Sequence, residues 1–308
     1  MKISVIGAGQ VGAMTAQRIL EKNLGDVILL DVEEGIACGK SLDMMQSASL
    51  EGFTAKITGT GDFKKITGSH IVVVTAGFAR KPGMSRTDLL FKNADVIKMV
   101  SKKIREYAPN AFLLMVTNPL DIMSYIAMNI TGFNPAKVIG MAGILDSARF
   151  RAFLAQELDV AMQDIQTIVL GGHADSMVPL IEYTTVCGIP VTQFLSLTAL
   201  EKIVEKTRKG GEEIVSLLKT GSAYYAPSSS VVDMVSAIIS NSRRVITASV
   251  YLKGEYGYND IYLGVPIIIG KNGVEKILEI SLTQKDRLAL DKSAKIVKDV
   301  IEEVKEKI

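Results

Sequence analysis

The residues Gly7-Ala8-Gly9-Gln10-Val11-Gly12 follow directly on the apolar run Ile3-Ser4-Val5-Ile6. Glycines at this spacing constrain the fold more than any other feature of the chain. Gly7 permits a tight turn out of a strand, Gly9 lets backbone approach a bound group, and Gly12 lets the next helix sit close to the strand. The helix N-terminus then offers free N–H groups and a partial positive charge, which suits a pyrophosphate. Asp31 ends the next apolar run, Val27–Leu30, where a carboxylate can accept from ribose hydroxyls. Strand, turn, helix, strand and acid in that order read as a dinucleotide site. The same carboxylate repels the extra phosphate of NADP. Val32, Glu33 and Glu34 follow it, with no arginine to receive that phosphate. NAD is the expected cofactor.

Far downstream, Gly171-Gly172-His173-Ala174-Asp175 follows Ile168-Val169-Leu170. An alcohol oxidised by a nicotinamide must also lose a proton, and imidazole is the side chain best tuned to take it near neutral pH. The only other histidine, His70, precedes Val72-Val73-Val74 with no acidic motif around it and reads as structural.

A chain of 308 residues, 48% hydrophobic and 22% charged, has the makings of an ordinary globular protein with a sizeable core. A net charge of +2, with Lys and Arg scattered along the chain, argues against a nucleic-acid partner. Cys38 and Cys187 have neither metal spacing nor a disulfide framework, and no metal site is expected. No apolar run approaches the ~20 residues of a membrane span, and the glycines break the one stretch that imitates a signal peptide. A cytoplasmic protein without a membrane partner is the expectation.

Residues 3–6, 27–30, 71–75, 112–116 and 138–140 read as buried strands. The patterns at Val11–Lys22, Gly35–Leu50 and Asp88–Glu106 read as the helices between them. Alternation of this kind implies parallel pairing and a doubly wound sheet. After about Gly140 the rhythm changes. Asp146–Leu158 is helical, and Ile165–Leu170, Thr247–Tyr251, Ile261–Val265 and Pro266–Ile269 look like strands. Thr283 to about Lys307 is a long charged helix. The chain thus divides into an α/β dinucleotide-binding Rossmann domain at 1–142 and an α+β substrate domain at 143–308.

These residues also carry a likeness. The segments GAGQVG at 7–12, TAGFARKPGMSR at 75–86, VTNPLD at 116–121, LDSARFR at 145–151 and GGHAD at 171–175 occur in the order of the lactate/malate dehydrogenase family. The chain resembles that family from Met1 to the final helix, most closely its lactate-dehydrogenase-like malate branch. The resemblance implies a base at His173, oriented by Asp146. It implies that Arg149 grips a substrate carboxylate, that Arg86 polarises the reacting carbonyl, and that Arg80 reads the far end of the substrate. It makes Ala79–Leu89 a mobile lid, and Asn118 a contact for both cofactor and substrate. Gly7, Gly9, Gln10, Val11, Gly12, Asp31, Asn93 and Val116 join Asn118 around NAD. Lys81 and Arg151 are given no part in the chemistry. Ala174 departs from the family pattern, which has glycine after the histidine. The stretch Gly221–Ser228 is of the malate kind.

On this likeness the expected reaction is hydride transfer between the dicarboxylate (S)-malate and NAD, within the tricarboxylic acid cycle. The expected assembly is a homotetramer, with a dimer as the alternative. Lactate dehydrogenase is the alternative activity, and Arg80 stands against it, since lactate enzymes typically present glutamine there. A non-catalytic NAD-binding sensor would have no need of the His, Asp and Arg set. A short-chain dehydrogenase is excluded because no tyrosine has a lysine four residues later.

Overall fold

Short runs of β-branched residues between turn residues favour strands buried on both faces. In the computed structural model, which describes residues 1–78, 86–173 and 175–305, this is how the first half is built. β1 (Lys2–Ile6) and β2 (Asp26–Leu30) pair in parallel, Ile3 opposite Val27 and Ile6 opposite Leu30. β3 (Ile57–Thr60) adds beyond β2. On the other side of β1 lie β4 (Ile71–Val74), β5 (Phe112–Met115) and β6 (Val138–Gly140), all parallel. The connecting helices are α1 (Gln10–Glu21), α2 (Glu34–Glu51), α3 (Arg86–Tyr107) and α4 (Leu120–Thr131). The strand order β6-β5-β4-β1-β2-β3 reverses direction at β1 and β4. The crevice beyond the carboxyl ends of these strands is where such sheets bind ligands. Residues 79–85 lie outside the described residues. Residues 86–89 form the first turn of α3, so the helix starts within the stretch expected to be lid.

The second half opens with α5 (Gly143–Leu158). Where one strand was expected over 165–170, two short ones stand in different sheets: β7 (Ile165–Gln166) and β8 (Val169–Leu170). They are parted at Thr167, whose hydroxyl bonds that of Thr184 at 2.9 Å. β9 (Val178–Pro179) pairs with β8. β10 (Thr185–Val186) and β11 (Ile189–Pro190) complete a small sheet with β7. α6 (Leu197–Leu218) and α7 (Tyr225–Ser240) precede the long hairpin of β12 (Arg244–Lys253) and β13 (Asn259–Gly270), then β14 (Gly273–Ile277) and α8 (Gln284–Lys305).

Pro266 does not break β13 as expected. Its carbonyl accepts from Leu278 N–H at 2.8 Å, so its ring nitrogen faces the outer side of the hairpin, just past the end of β14, and away from β12. The β12–β13 ladder therefore loses no donor there.

The hairpin also joins the main sheet. Ser249 on β12 lies antiparallel to Gly140 on β6, and among the described residues the sheet runs to nine strands. Gly140 is needed at the junction, because a Cβ there would lie 2.9 Å from both Ser124 Oγ and Ser249 Cβ. The main core lines both faces of this sheet. A smaller one gathers Phe150, Leu154, Ile165, Val169 and Leu200 beneath α5 and α6. No helix of the described residues is long and apolar enough to cross a membrane.

Candidate active site

At the end of β1, Gly7 turns the chain with φ +104°, a conformation L side chains rarely adopt. A Cβ on Gly12 would lie 1.8 Å from the Gly7 carbonyl oxygen, so α1 can approach the turn only with glycine there. Gly9 is different, because a Cβ there would meet nothing within 4 Å. Gly9 is also the N-cap of α1 and makes no side-chain cap bond, and the first turn, with Gln10 and Val11, carries no acid. This open helix start leaves donors and space for a pyrophosphate, and fits NAD. Asp31 stands beside it. Its Oδ2 accepts from Ala8 N–H at 2.6 Å and its Oδ1 from Glu33 N–H at 3.1 Å, with lone pairs left for ribose hydroxyls. Lys40 on α2 donates from Nζ to the Ala8 carbonyl at 2.7 Å. Sequence reasoning missed Lys40, since a single lysine on a helix carries no local signal.

The far wall is made by the loops after β4 and β5. Val116 continues β5 by donating to Val74 O at 2.9 Å, and the Asn118 side chain is exposed at this carboxyl edge. Asn93, expected among the cofactor residues, is 1% exposed on α3. Its Oδ1 accepts from Phe78 N–H at 2.7 Å, and its Nδ2 donates to Asn118 O at 2.7 Å and Phe78 O at 3.2 Å. Its amide is thus occupied in tying the two loops together, behind the surface a cofactor would touch.

His173 sits in the turn between β8 and β9. Gly171 forms a bridge with Gly264 on β13, and Gly172 N–H donates to Ser293 Oγ on α8 at 2.8 Å. These contacts anchor the loop, and the helix α5 supplies the rest. Asp146, in its first turn, is buried and accepts from His173 Nδ1 at 2.9 Å through Oδ2. A carboxylate can only accept, so the neutral imidazole keeps its proton on Nδ1 and leaves Nε2 as the basic atom. Burial pulls the His173 pKa down, but the charge and hydrogen bond of Asp146 outweigh it and hold the imidazole above its ordinary value. Arg149 opposes this shift and Asp121 adds to it.

Arg149, one turn along the same face of α5, has Nη1 3.6 Å from Asp146 Oδ1. Its buried Nε and the buried Asp146 Oδ1 have no hydrogen-bond partner among the described residues. Burial lowers the Arg149 pKa, and Asp146 partly restores it. A buried guanidinium with an unused donor is suited to a planar carboxylate. His173, Asp146 and Arg149 thus form one buried charged cluster, and Asp121 joins the His173 loop to the helix that follows β5. Arg80, Lys81 and Ala174 lie outside the described residues, as does the Arg86 side chain. Among the described residues no His, Cys, Asp or Glu cluster could hold a metal.

The family model of the lactate/malate dehydrogenase NAD binding domain matches residues 1–140, and that of the lactate/malate dehydrogenase alpha/beta C-terminal domain matches residues 144–308. A malate dehydrogenase of Roseiflexus sp. (strain RS-1) is 52% identical over 304 residues, 99% of this chain and 98% of that protein. The crystal structure of Cryptosporidium parvum malate dehydrogenase is similar with a TM-score of 0.97 at 42% identity, covering 99% of each chain. A lactate dehydrogenase of the same organism, solved with lactic acid and NAD, has a TM-score of 0.96 at 40% identity, covering 99% of this chain and 98% of that one.

Proposed function

The chain belongs to the lactate/malate dehydrogenase family, and on that premise we propose that it interconverts (S)-malate and oxaloacetate. NAD supplies the acceptor for the hydride leaving the carbinol carbon. The observation that carries the reading is the buried pair of His173 and Asp146, 2.9 Å apart, beside a guanidinium with a spare donor.

In malate oxidation, His173 Nε2 takes the hydroxyl proton. Asp146 keeps the ring in the required tautomer and stabilises the cation that forms. Arg149 holds the carboxylate next to the reacting carbon with the open side of its fork. Arg86 polarises the carbonyl in the reverse direction, and Arg80 pairs with the second carboxylate. Gly7, Gly9, Gln10, Val11 and Gly12 would hold the pyrophosphate of NAD, Asp31 would accept from a ribose hydroxyl, and Val116 and Asn118, with Asn93 behind Asn118, would complete the cofactor's site. On this reading residues 1–142 hold the cofactor and lend Arg80, Arg86 and Asn118 to the substrate, while residues 143–308 supply His173, Asp146 and Arg149.

Lactate dehydrogenase is the second reading, favoured by the likeness to a lactate enzyme at 40% identity. Initial rates of NADH oxidation with oxaloacetate and pyruvate side by side test the choice. Faster turnover of pyruvate would overturn the malate reading.

Exchange of malate and oxaloacetate is a step of the tricarboxylic acid cycle, which is the setting this reading favours. Two free, exposed cysteines suit a reducing cytoplasm. Ile36, Leu42 and Met45 are 48%, 53% and 53% exposed on α2, which suits burial between subunits. The assembly this favours is a homotetramer, with a dimer as the alternative. Light scattering on the purified protein distinguishes these, and a monomer would refute both.

A further inference from the structure

The turn between β1 and α1 is held from several sides, and one of the groups holding it is a cation. Gly7 N–H donates to Leu30 O at 2.7 Å, and the Gly7 carbonyl accepts from Thr75 Oγ1 at 3.0 Å. Ala8 is fully buried. Its N–H donates to Asp31 Oδ2 at 2.6 Å, and its carbonyl accepts from Lys40 Nζ at 2.7 Å. Two side chains of opposite charge thus grip one residue. A neutral donor could hold the same carbonyl, and a lysine gives up much rotamer freedom to do so. What lysine adds is positive charge. Among the described residues it is the one cation bonded to residues 7–12.

We propose, resting on the reading of residues 7–12 as the pyrophosphate turn, that Lys40 is a positioning residue for the dinucleotide: its ammonium fixes the Ala8 carbonyl and offsets the charge of Asp31 beside the phosphates. Two demands of such a site conflict. A ribose is well read by a carboxylate, yet a carboxylate beside the turn repels the charges of a pyrophosphate. The start of α1 brings only partial positive charge, and Gln10, Val11 and Gly12 add none. Lys40 reaches across from α2 to the residue that Asp31 also holds, so the two full charges largely cancel at the turn. The helix start is then left to act on the phosphates, and Asp31 keeps its lone pairs for the ribose.

ADP-ribose and adenosine share the adenine and its ribose and differ in the phosphates, so together they separate this role from simple support of the fold. In calorimetric titrations Lys40→Met should weaken ADP-ribose by roughly 5- to 30-fold and adenosine by less than about 2-fold. NADH, followed by fluorescence, should behave as ADP-ribose does. The gap between the unaltered protein and Lys40→Met should shrink as salt rises from about 0.05 to about 0.5 M, because ions screen a partly exposed charge. Lys40→Arg should recover most of the affinity. Lys40→Gln keeps a donor without the charge and should resemble Lys40→Met. It carries the test alone should Lys40→Met not fold. Equal losses for ADP-ribose and adenosine, a gap indifferent to salt, or unchanged ADP-ribose affinity in a folded neutral variant each overturn the proposal. Gly9→Ala separates the two readings. If it binds ADP-ribose as the unaltered protein does, the turn is not the pyrophosphate site and this proposal falls with it. If it binds weakly while Lys40→Met binds normally, only the role of Lys40 fails.

Discussion

Asp146 holds His173 through one carboxylate oxygen, at 2.9 Å, and leaves the other to face Arg149 at 3.6 Å. The base and the substrate clamp therefore share one anion. His173→Asn should lower turnover by ~10²–10⁴-fold, the usual share of general acid–base catalysis, with NADH binding intact by fluorescence. Near-normal kcat would remove His173 as the base.

The same pair sets a pH dependence. Oxaloacetate reduction needs the imidazolium, so its kcat/KM falls as pH rises through the His173 pKa. Malate oxidation needs the neutral ring and rises over the same interval. Asp146 holds that pKa above the ordinary value, so Asp146→Asn should move both limbs to lower pH. The folded pKa is the raised one, so the pair stabilises the fold fully below the ordinary imidazole pKa. That contribution is lost as pH rises through the folded value. Paired pH profiles in both directions check the shift, and unmoved limbs would show that Asp146 does not tune the base.

Asp31 should favour NAD over NADP by at least ~10-fold in kcat/KM, about 1.4 kcal/mol. Asp31→Ser should narrow that gap. It removes the repelling charge and leaves Lys40, 2.7 Å from the Ala8 carbonyl, to meet a 2′-phosphate. Equal use of both cofactors by the unaltered protein would refute the role of Asp31.

Gly12→Ala places a methyl where the Gly7 carbonyl oxygen would be 1.8 Å away. The helix must retreat from the turn, and a packed interior resists such shifts by ~1–3 kcal/mol. We expect weaker NADH binding and a lower Tm together. Gly9→Ala meets no protein atom within 4 Å, so it should leave Tm nearly unchanged while weakening NADH binding. Calorimetry and NADH titration of the two variants give the comparison, and equal Tm losses would contradict it.

Arg80→Gln should lower the oxaloacetate-to-pyruvate ratio of kcat/KM, mainly through loss of oxaloacetate activity. A guanidinium shut in with the methyl of pyruvate has no partner, and leaving such a donor unpaired costs at least ~1–3 kcal/mol. That corresponds to roughly 5- to 150-fold discrimination. Arg86→Gln should instead slow both substrates. An unchanged ratio in Arg80→Gln would remove Arg80 as the residue that discriminates the two substrates.

The parallel half of the fold was legible because each strand is a short apolar run between turn residues. β3 escaped notice because Ile57–Thr60 has no such run, and Gly59 weakens it further. That glycine is required, since a Cβ there would lie 2.3 Å from the Ala37 carbonyl oxygen. α6 went unplaced although Ser196 caps it and Leu200, Ile203, Val204 and Thr207 share a buried face. The pair Gly210-Gly211 weakens its helical signal. In the structure a Cβ on Gly211 would lie 3.6 Å from the Arg149 guanidinium, an ordinary contact, so packing does not require the glycine. The glycine turn and Asp31 could be read from local order alone. The roles of Asp146 and Arg149 came from likeness. The bonds of Asp121 span 52 and 128 residues, and nothing in its neighbourhood along the chain encodes them.

The meeting of Gly140 and Ser249 also bears on how this chain can be cut. A break at residue 142 falls between two stretches that differ in sequence rhythm, and invites the separation or exchange of modules. It would strip β12 from β6 and turn a continuous sheet into two fragments, each ending in unpaired backbone donors and acceptors. Such raw edges recruit other chains. Chimeras of this protein should therefore be joined where a helix or loop is exchanged whole, with the β6–β12 seam inherited from one parent.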